Sequence, residues 1–514
     1  MNMSPRKFTS IFILFAMLGS VFSSYEVKAG RQPSPLLTSG DLLWANGFGG
    51  TGSDSSLSIA TDSSGNSYTT GYFQQTVDFN PSTGTTNLTS NGDRDIFISK
   101  FDENGSFIWA RQFGNTGFDI GKEIILDASN NIYLTGYFEG TVDFDPGVGT
   151  FNMSSSGEND AFLLKLDSNG NFIWAKKFGG ASYDEGEGVA VDVNGNIYLL
   201  IEFWGTSDFN PGSGAFNLTS NGYGDIAVVK LDPSGNFVWA KRFGGTDDDY
   251  GNSFAISESG NIYITGNFNG TVDFNPNAGS FYLTSIFFDM FISVLDENGD
   301  FLWAINIGGS GIDDGTAIAL DDVGNIYVAG VFQNTVDFDP DTIMEFELTS
   351  AGEWDAYILK LNNAGVLTWA MSMGGSGEDF VTDIDIYENK NIYLSGSFED
   401  TFYFDSKSET INLTSAGLSD AFLLRLDDAG NLVWGKNMGG AMDDFPYGID
   451  VDGKNNIFIT GDFKGIADFD PGTGTTFLTS NGERDVFVSK IEGPISHTVT
   501  NTSDNGVGSL RYAI

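Results

Sequence analysis

Over residues 41–493 the chain alternates short runs of β-branched and aromatic residues with clusters of turn residues, and the apolar positions do not follow a helical period. A representative stretch holds four such runs: 187–192 (EGVAVD), 196–203 (NIYLLIEF), 225–231 (DIAVVKL) and 237–243 (FVWAKRF). The first pair is joined by Asp192-Val193-Asn194-Gly195-Asn196 and the last pair by Asp232-Pro233-Ser234-Gly235-Asn236. Gly and Asn accept the positive φ that tight hairpins require, so each pair reads as a hairpin. In an up-and-down arrangement both turns fall on one face. The longer link from second to third run and the link from the fourth run onward fall on the opposite face.

The four-run unit recurs with a period of roughly 65 residues, marked by Trp44, Trp109, Trp174, Trp239, Trp303, Trp369 and Trp434. Four strands per repeat describe a propeller blade. The chain starts this region with an isolated fourth strand, 42–48 (LLWANGF), and ends it with a third strand, 485–491 (DVFVSKI), that lacks its fourth. Joining the two removes an open sheet edge. The expected fold is all-β: a monomeric seven-bladed β-propeller of four-stranded blades over 41–493, its ring closed by the N-terminal strand completing the last blade.

Residues 1–29 read as a signal peptide. Arg6 and Lys7 precede the apolar stretch 11–22, and Val27-Lys28-Ala29 has the spacing of a cleavage site. Residues 30–40 read as a linker, and no later stretch is apolar enough to span a bilayer as a helix. A secreted or cell-surface location is therefore expected. Residues 494–514 abandon the blade pattern and read as the start of a further, truncated module.

Phrases such as 324–332 (GNIYVAGVF), 336–340 (VDFDP), 355–361 (DAYILKL) and 369–375 (WAMSMGG) resemble the SBBP-type bacterial beta-propeller repeat family. The resemblance implies a propeller on an exported bacterial protein and implies no defined activity. The tail phrase TVTNTSDNGVGSLRYAI is similar to the openings of parallel β-helix modules in large bacterial surface proteins.

With 24 Lys plus Arg against 69 Asp plus Glu, the formal net charge is −45, a field that repels nucleic acid and anionic lipid. Cysteine is absent, which excludes disulfides and sulfur-ligated metals. The internal repeat also singles out recurring acidic positions. Asp54, Asp119, Asp184, Asp249, Asp313, Asp379 and Asp444 follow the Gly-Gly of each fourth-strand exit. A Asp-Phe-Asn/Asp-Pro phrase recurs in the long link, except in the sixth repeat (Tyr403-Phe404-Asp405-Ser406), and a further Asp ends it at Asp95, Asp160, Asp225, Asp289, Asp355, Asp420 and Asp485. Hard oxygen ligands without His or Cys suit Ca²⁺. The preferred reading is nonetheless that each Asp caps its own loop, because residues kept in every repeat build the repeat.

The seven serial tryptophans read as packing between blades. Trp204 and Trp354 stand outside the series, beside the link face, and are the candidate ligand contacts. The single histidine, His497, lies outside the propeller, so no Ser-His-Asp or Cys-His constellation can form within it. The Asp167-Ser168-Asn169-Gly170-Asn171-Phe172-Ile173-Trp174 phrase does not keep the spacing of a sialidase Asp box, and quinoprotein rings usually have eight blades. The expected function is a non-catalytic secreted or surface scaffold that binds an extracellular glycan, peptide or surface protein. The alternative is an extracellular carbohydrate-active hydrolase or lyase using acidic residues on one face.

Overall fold

The computed structural model describes residues 40–341, 344–388, 391–406 and 409–494. The segment 1–29 read as a signal peptide, residues 30–39 of the expected linker, and the tail from 495 onward with His497 lie outside the described residues. Within them the chain is all-β, and no helix is long and apolar enough to cross a membrane.

Each repeat forms an antiparallel run of four strands in chain order. In the first, Ser55–Thr61 pairs with Ser67–Phe73, that strand with Asp95–Phe101, and that one with Phe107–Phe113. The second strands are buried almost throughout, and in Ser67–Phe73 every residue is. Such double-sided burial explains why these strands read as continuous runs and not as alternating ones. The first strands lie against one another from repeat to repeat, and Ser55–Thr61 also contacts the first strand of the last repeat, Asp444–Val451. The sheets stay separate, or merge in part through their outer ends, and no single sheet closes on itself.

The two ends of the described chain meet in one sheet. Leu42–Phe48 pairs antiparallel with Asp485–Ile491, from Leu42 opposite Ile491 to Phe48 opposite Val486. The same junction repeats contacts found between other neighbouring repeats. Lys490 Nζ donates to the Glu103 carbonyl at 3.2 Å, as Lys230 Nζ donates to the Glu297 carbonyl at 2.8 Å.

The serial tryptophans are half-buried or buried and pack between repeats. Trp109 meets the Tyr68 ring of its own repeat edge-on at 6.2 Å and covers Gly170 in the turn of the next. A Cβ on Gly170 would lie 3.1 Å from the Trp109 ring, and its φ of 73° is costly for other residues, so glycine is required twice over.

The long links differ from the sequence expectation. They are not loops: the second and third strands continue past the body of the sheet as a two-stranded ribbon, with Asp208 opposite Asn217 and Thr206 opposite Thr219. The third strand of this repeat therefore runs over Asn217–Leu231, starting eight residues before the expected 225. Facing hydroxyls account for the extension, since Thr206 and Thr219 Oγ1 are hydrogen-bonded at 2.7 Å. At the base of each ribbon one residue is left-handed, Gln75, Gly140, Gly205, Gly270, Asn334, Asp400 or Gly465, which bends the ribbon at a bulge. The bent ribbon then reaches the preceding repeat, where Gly179 pairs with Asp208 and Gly439 with Asp468.

Deleting residues 1–48 removes the strand that covers the edge of Asp485–Ile491. The expected result is a lower unfolding midpoint and concentration-dependent self-association, read by thermal scanning and size-exclusion chromatography.

Candidate functional site

The recurring aspartates form the frame of the link face. Asp54 Oδ2 accepts the Gly50 N–H at 2.6 Å and its Oδ1 accepts the Gln74 N–H at 2.8 Å. One carboxylate thus ties the incoming link to the end of the second strand. Asp119 bonds Asn115 and Glu139 in the same way, at 2.7 and 3.0 Å, and Asp313 bonds Gly309 and Gln333 at 2.6 and 3.1 Å. Asp249 and Asp444 follow the pattern, and Asp379 Oδ2 accepts the Gly375 N–H. Asp184 instead takes the Ser207 hydroxyl as its second donor.

All seven side chains are buried. Burial pushes Asp54, Asp119, Asp249 and Asp313 up to about 7, and Asp184, Asp379 and Asp444 up to about 8, against the N–H bonds that favour the charged form. Each also feels the third-strand Asp of the preceding repeat: Asp95 faces Asp119, Asp160 faces Asp184, and Asp485 faces Asp54. The third-strand carboxylates cap the ribbon end, with Asp225 accepting the Asn221 N–H at 3.0 Å and pairing with Arg242 at 2.7 Å. The ribbon phrase caps itself as well, since Asp78 Oδ1 accepts N–H bonds from Asn80 and Thr86. Among the described residues no group of three or more His, Cys, Asp or Glu side chains is placed to hold a metal ion. The seven aspartates proposed as metal ligands are thus not gathered into one site.

What varies between repeats is concentrated at the mouth that the first strands and the second-strand ends share on this face. One residue beyond the invariant Asp stand Ser55, Ile120, Glu185, Tyr250, Asp314, Phe380 and Phe445. Opposite them, near the end of the second strand, stand Tyr72, Tyr137, Glu202, Asn267, Val331, Ser397 and Asp462. Just before the third strand stand Arg94, Asn159, Gly224, Phe288, Trp354, Ser419 and Arg484. Size, charge and aromaticity all change from repeat to repeat in these rows, next to rows where only Asp is found.

The mouth is chemically divided. In the second and third repeats, Lys122 Nζ lies 3.0 Å from Glu187 and 3.8 Å from Glu185, and Glu202 accepts the Gly251 N–H at 3.1 Å. Burial opposes the charge on Lys122, but Glu187 and Glu185 more than offset it and hold its pKa above the usual range. Burial raises Glu202 well above the ordinary carboxyl range, helped by Glu187 and Glu185. Across the mouth, Arg484 is held by Asp462 at 2.5 Å and Asp443 at 3.1 Å over the Phe445 ring. Arg94 sits over the Tyr72 ring at 4.3 Å with Phe118 beside it.

Trp204 and Trp354 do border this face. Trp204 is half-buried, meets Tyr183 edge-on at 6.4 Å and donates its backbone N–H to the Tyr183 carbonyl. Trp354 is half-buried against Phe380 at 6.1 Å, and its carbonyl accepts the Asp379 N–H. Sequence reasoning missed Arg94, Lys122 and Glu202. Comparing the repeats row by row at their variable positions, and not only at their shared ones, would have found them. It also missed the bulge at the base of the fourth repeat's ribbon, where Ile286 and Phe287 replace the Asn-Gly of 221–222 and stand 83% and 53% exposed. A side chain at Gly222 would strike the Thr246 backbone, so Phe287 cannot dock as the glycines do.

The pH dependence follows from the seven clamps. Their folded pKa values lie above the unfolded value, so the folded chain binds more protons than the unfolded one between about pH 4 and pH 8. Stability is then greatest at the acid end of that window and falls as pH rises through it. The thermal midpoint is expected to climb by several degrees between pH 8 and pH 5, and a midpoint that falls over that interval contradicts the assignment.

The family described as beta-propeller repeat, SBBP, matches residues 173–200 and 238–272. An uncharacterized WD repeat-containing protein of Acanthamoeba polyphaga mimivirus is 23% identical over 88% of this chain and 38% of its own length. The regulatory protein FlaEY of Caulobacter vibrioides is 26% identical over 40% of this chain and 21% of its own length. The chain therefore spans well under half the length of both relatives. Among solved structures, Sqt1 from Chaetomium thermophilum aligns over 89% of this chain and all of its own, at 11% identity and a TM-score of 0.41. A protein of unknown function from Bacteroides caccae aligns over 66% of this chain and 89% of its own, at 10% identity and a TM-score of 0.32. Neither structural likeness is close enough to carry an assignment. The internal repeat and the family match agree that beta-propeller repeats of the SBBP type lie at residues 173–200 and 238–272.

Proposed function

We propose that the chain is a non-catalytic binding scaffold, exported to the cell surface or beyond, that presents its ligand site at the variable mouth of a seven-bladed ring. The observation that carries this reading is the contrast between rows. Positions that build the repeat keep the same residue, whereas the three rows at the mouth hold a different chemical mixture in every repeat. The rows are buried or half-buried, and chemically specific half-buried side chains such as Arg94, Trp354 and Arg484 on a rigid frame are what recognition can use. The seven-fold closed ring is supported by the pairing of Leu42–Phe48 with Asp485–Ile491 and by the contact between Ser55–Thr61 and Asp444–Val451. Export is supported by the signal-like segment 1–29.

The test is an array of extracellular glycans, peptides and surface proteins probed with the exported chain and two variants. Trp354→Ala is expected to lose the retained ligand, while Val193→Ser, in a turn on the opposite face, is expected to keep it. Retention of nothing, or equal loss by both variants, overturns the reading.

Calcium has no part in holding this frame in our reading, since both carboxylate oxygens of clamps such as Asp54 and Asp184 already accept N–H or O–H bonds. Thermal scanning with and without a chelator is expected to give one midpoint. A drop on chelation would restore the cation to the aspartates.

A further inference from the structure

Two arginines occupy the same place in their repeats, immediately before the third-strand Asp: Arg484 in the last repeat and Arg94 in the first. Each is anchored by the same backbone contact, a parallel bridge to the link of the following repeat, Arg484 with Ser53 and Arg94 with Phe118. Their side chains are treated differently. Arg484 has two carboxylates of its own repeat, Asp462 at 2.5 Å and Asp443 at 3.1 Å. In the first repeat the place of Asp462 is taken by Tyr72, and the place of Asp443 by Ser53. The Arg94 guanidinium keeps only aromatic neighbours, the Tyr72 ring at 4.3 Å and the Phe118 ring at 5.7 Å. Among the described residues no carboxylate pairs with it, and its Nε is buried without a hydrogen-bond partner.

That combination is unusual in a chain of net charge −45. Sixty-nine acidic side chains offer partners, yet the repeat has exchanged both local carboxylates for a phenol and a hydroxyl. A buried donor without an acceptor is costly, more so when charged, unless something else supplies the acceptor. The Tyr72 and Phe118 rings lie 4.3 and 5.7 Å from the guanidinium carbon, and a planar two-oxygen anion suits the donor pairs of a guanidinium.

We propose that Arg94 is the anion subsite of the mouth and that it takes the carboxylate of a small organic monocarboxylate. The proposal rests on the reading of the mouth as the binding face. The ligand's oxygens stand in for those that Asp462 and Asp443 give to Arg484. Its body packs on Phe118, which is 44% exposed beside the guanidinium. The surrounding negative field selects against phosphate dianions and polyanions, which would pay repulsion on every additional charge, and so favours a ligand with a single one.

Titration calorimetry with benzoate and with D-glucuronate tests this, with benzamide and glucose as the uncharged counterparts. Saturable binding is expected for at least one carboxylate and not for its neutral counterpart. Arg94→Gln is expected to weaken it by about tenfold or more. Ser53→Asp, which supplies Arg94 with an internal partner of the kind Arg484 has, is expected to weaken it as much while leaving the thermal midpoint at or above that of the parent chain. The second variant separates loss of the site from loss of the fold. Failure of both carboxylates to bind, or binding unchanged in both variants, overturns the proposal. If that happens while array ligands are still lost in Trp354→Ala, only the Arg94 subsite falls. If the array ligands fail as well, the binding-face reading falls with it.

Discussion

The fold depends on one interaction repeated around it: a buried carboxylate that holds two pieces of backbone at once. Asp54, Asp119, Asp249, Asp313 and Asp444 tie the link arriving from one repeat to the second strand of the next, and this sets how successive sheets sit against each other. Burial makes the arrangement costly to ionise, and the neighbouring third-strand Asp raises that cost further. The tryptophan, lysine and ribbon contacts between repeats act on sheets whose relative placement these clamps already fix. A substitution at a clamp would therefore disturb packing well beyond its own loop.

Much of this frame was legible in the sequence because its chemistry repeats. Tryptophan spacing gave the period, the Gly-Asn turns gave the hairpins, and the unmatched strands at 42–48 and 485–491 pointed to their pairing. Aspartate conserved among repeats pointed to loop capping, and the hydrogen bonds of Asp54 and Asp78 are of that kind. The ribbons were not legible. Segments such as 204–224 are rich in Gly, Ser, Asn and Thr, which read as turn, and only the cross-strand Thr206–Thr219 pair and the contact with the preceding repeat turn them into strand.

The mouth was hidden for the opposite reason. Its residues share no pattern, so a search for recurrence passes over them. Arg94 has meaning only against Arg484, and Lys122 only beside Glu185 and Glu187, which approach it from the neighbouring repeat. Of the two tryptophans that break the series, Trp354 stands in one of these rows, whereas Trp204 lies beside them, two residues beyond Glu202. Agreement between repeats thus marks the architecture, while departures from it mark where the repeats differ chemically.

The pairing of Leu42–Phe48 with Asp485–Ile491 has a consequence for how the chain acquires its shape. The earliest strand synthesised waits for the latest, across more than four hundred residues of intervening sequence. Until then both carry unsatisfied backbone edges, and the aromatic face around Trp44 has no sheet beneath it. Assembly is thus a race between making the strand Asp485–Ile491 and mispairing with another copy. The last contact to form is also the one that makes every earlier one harder to undo.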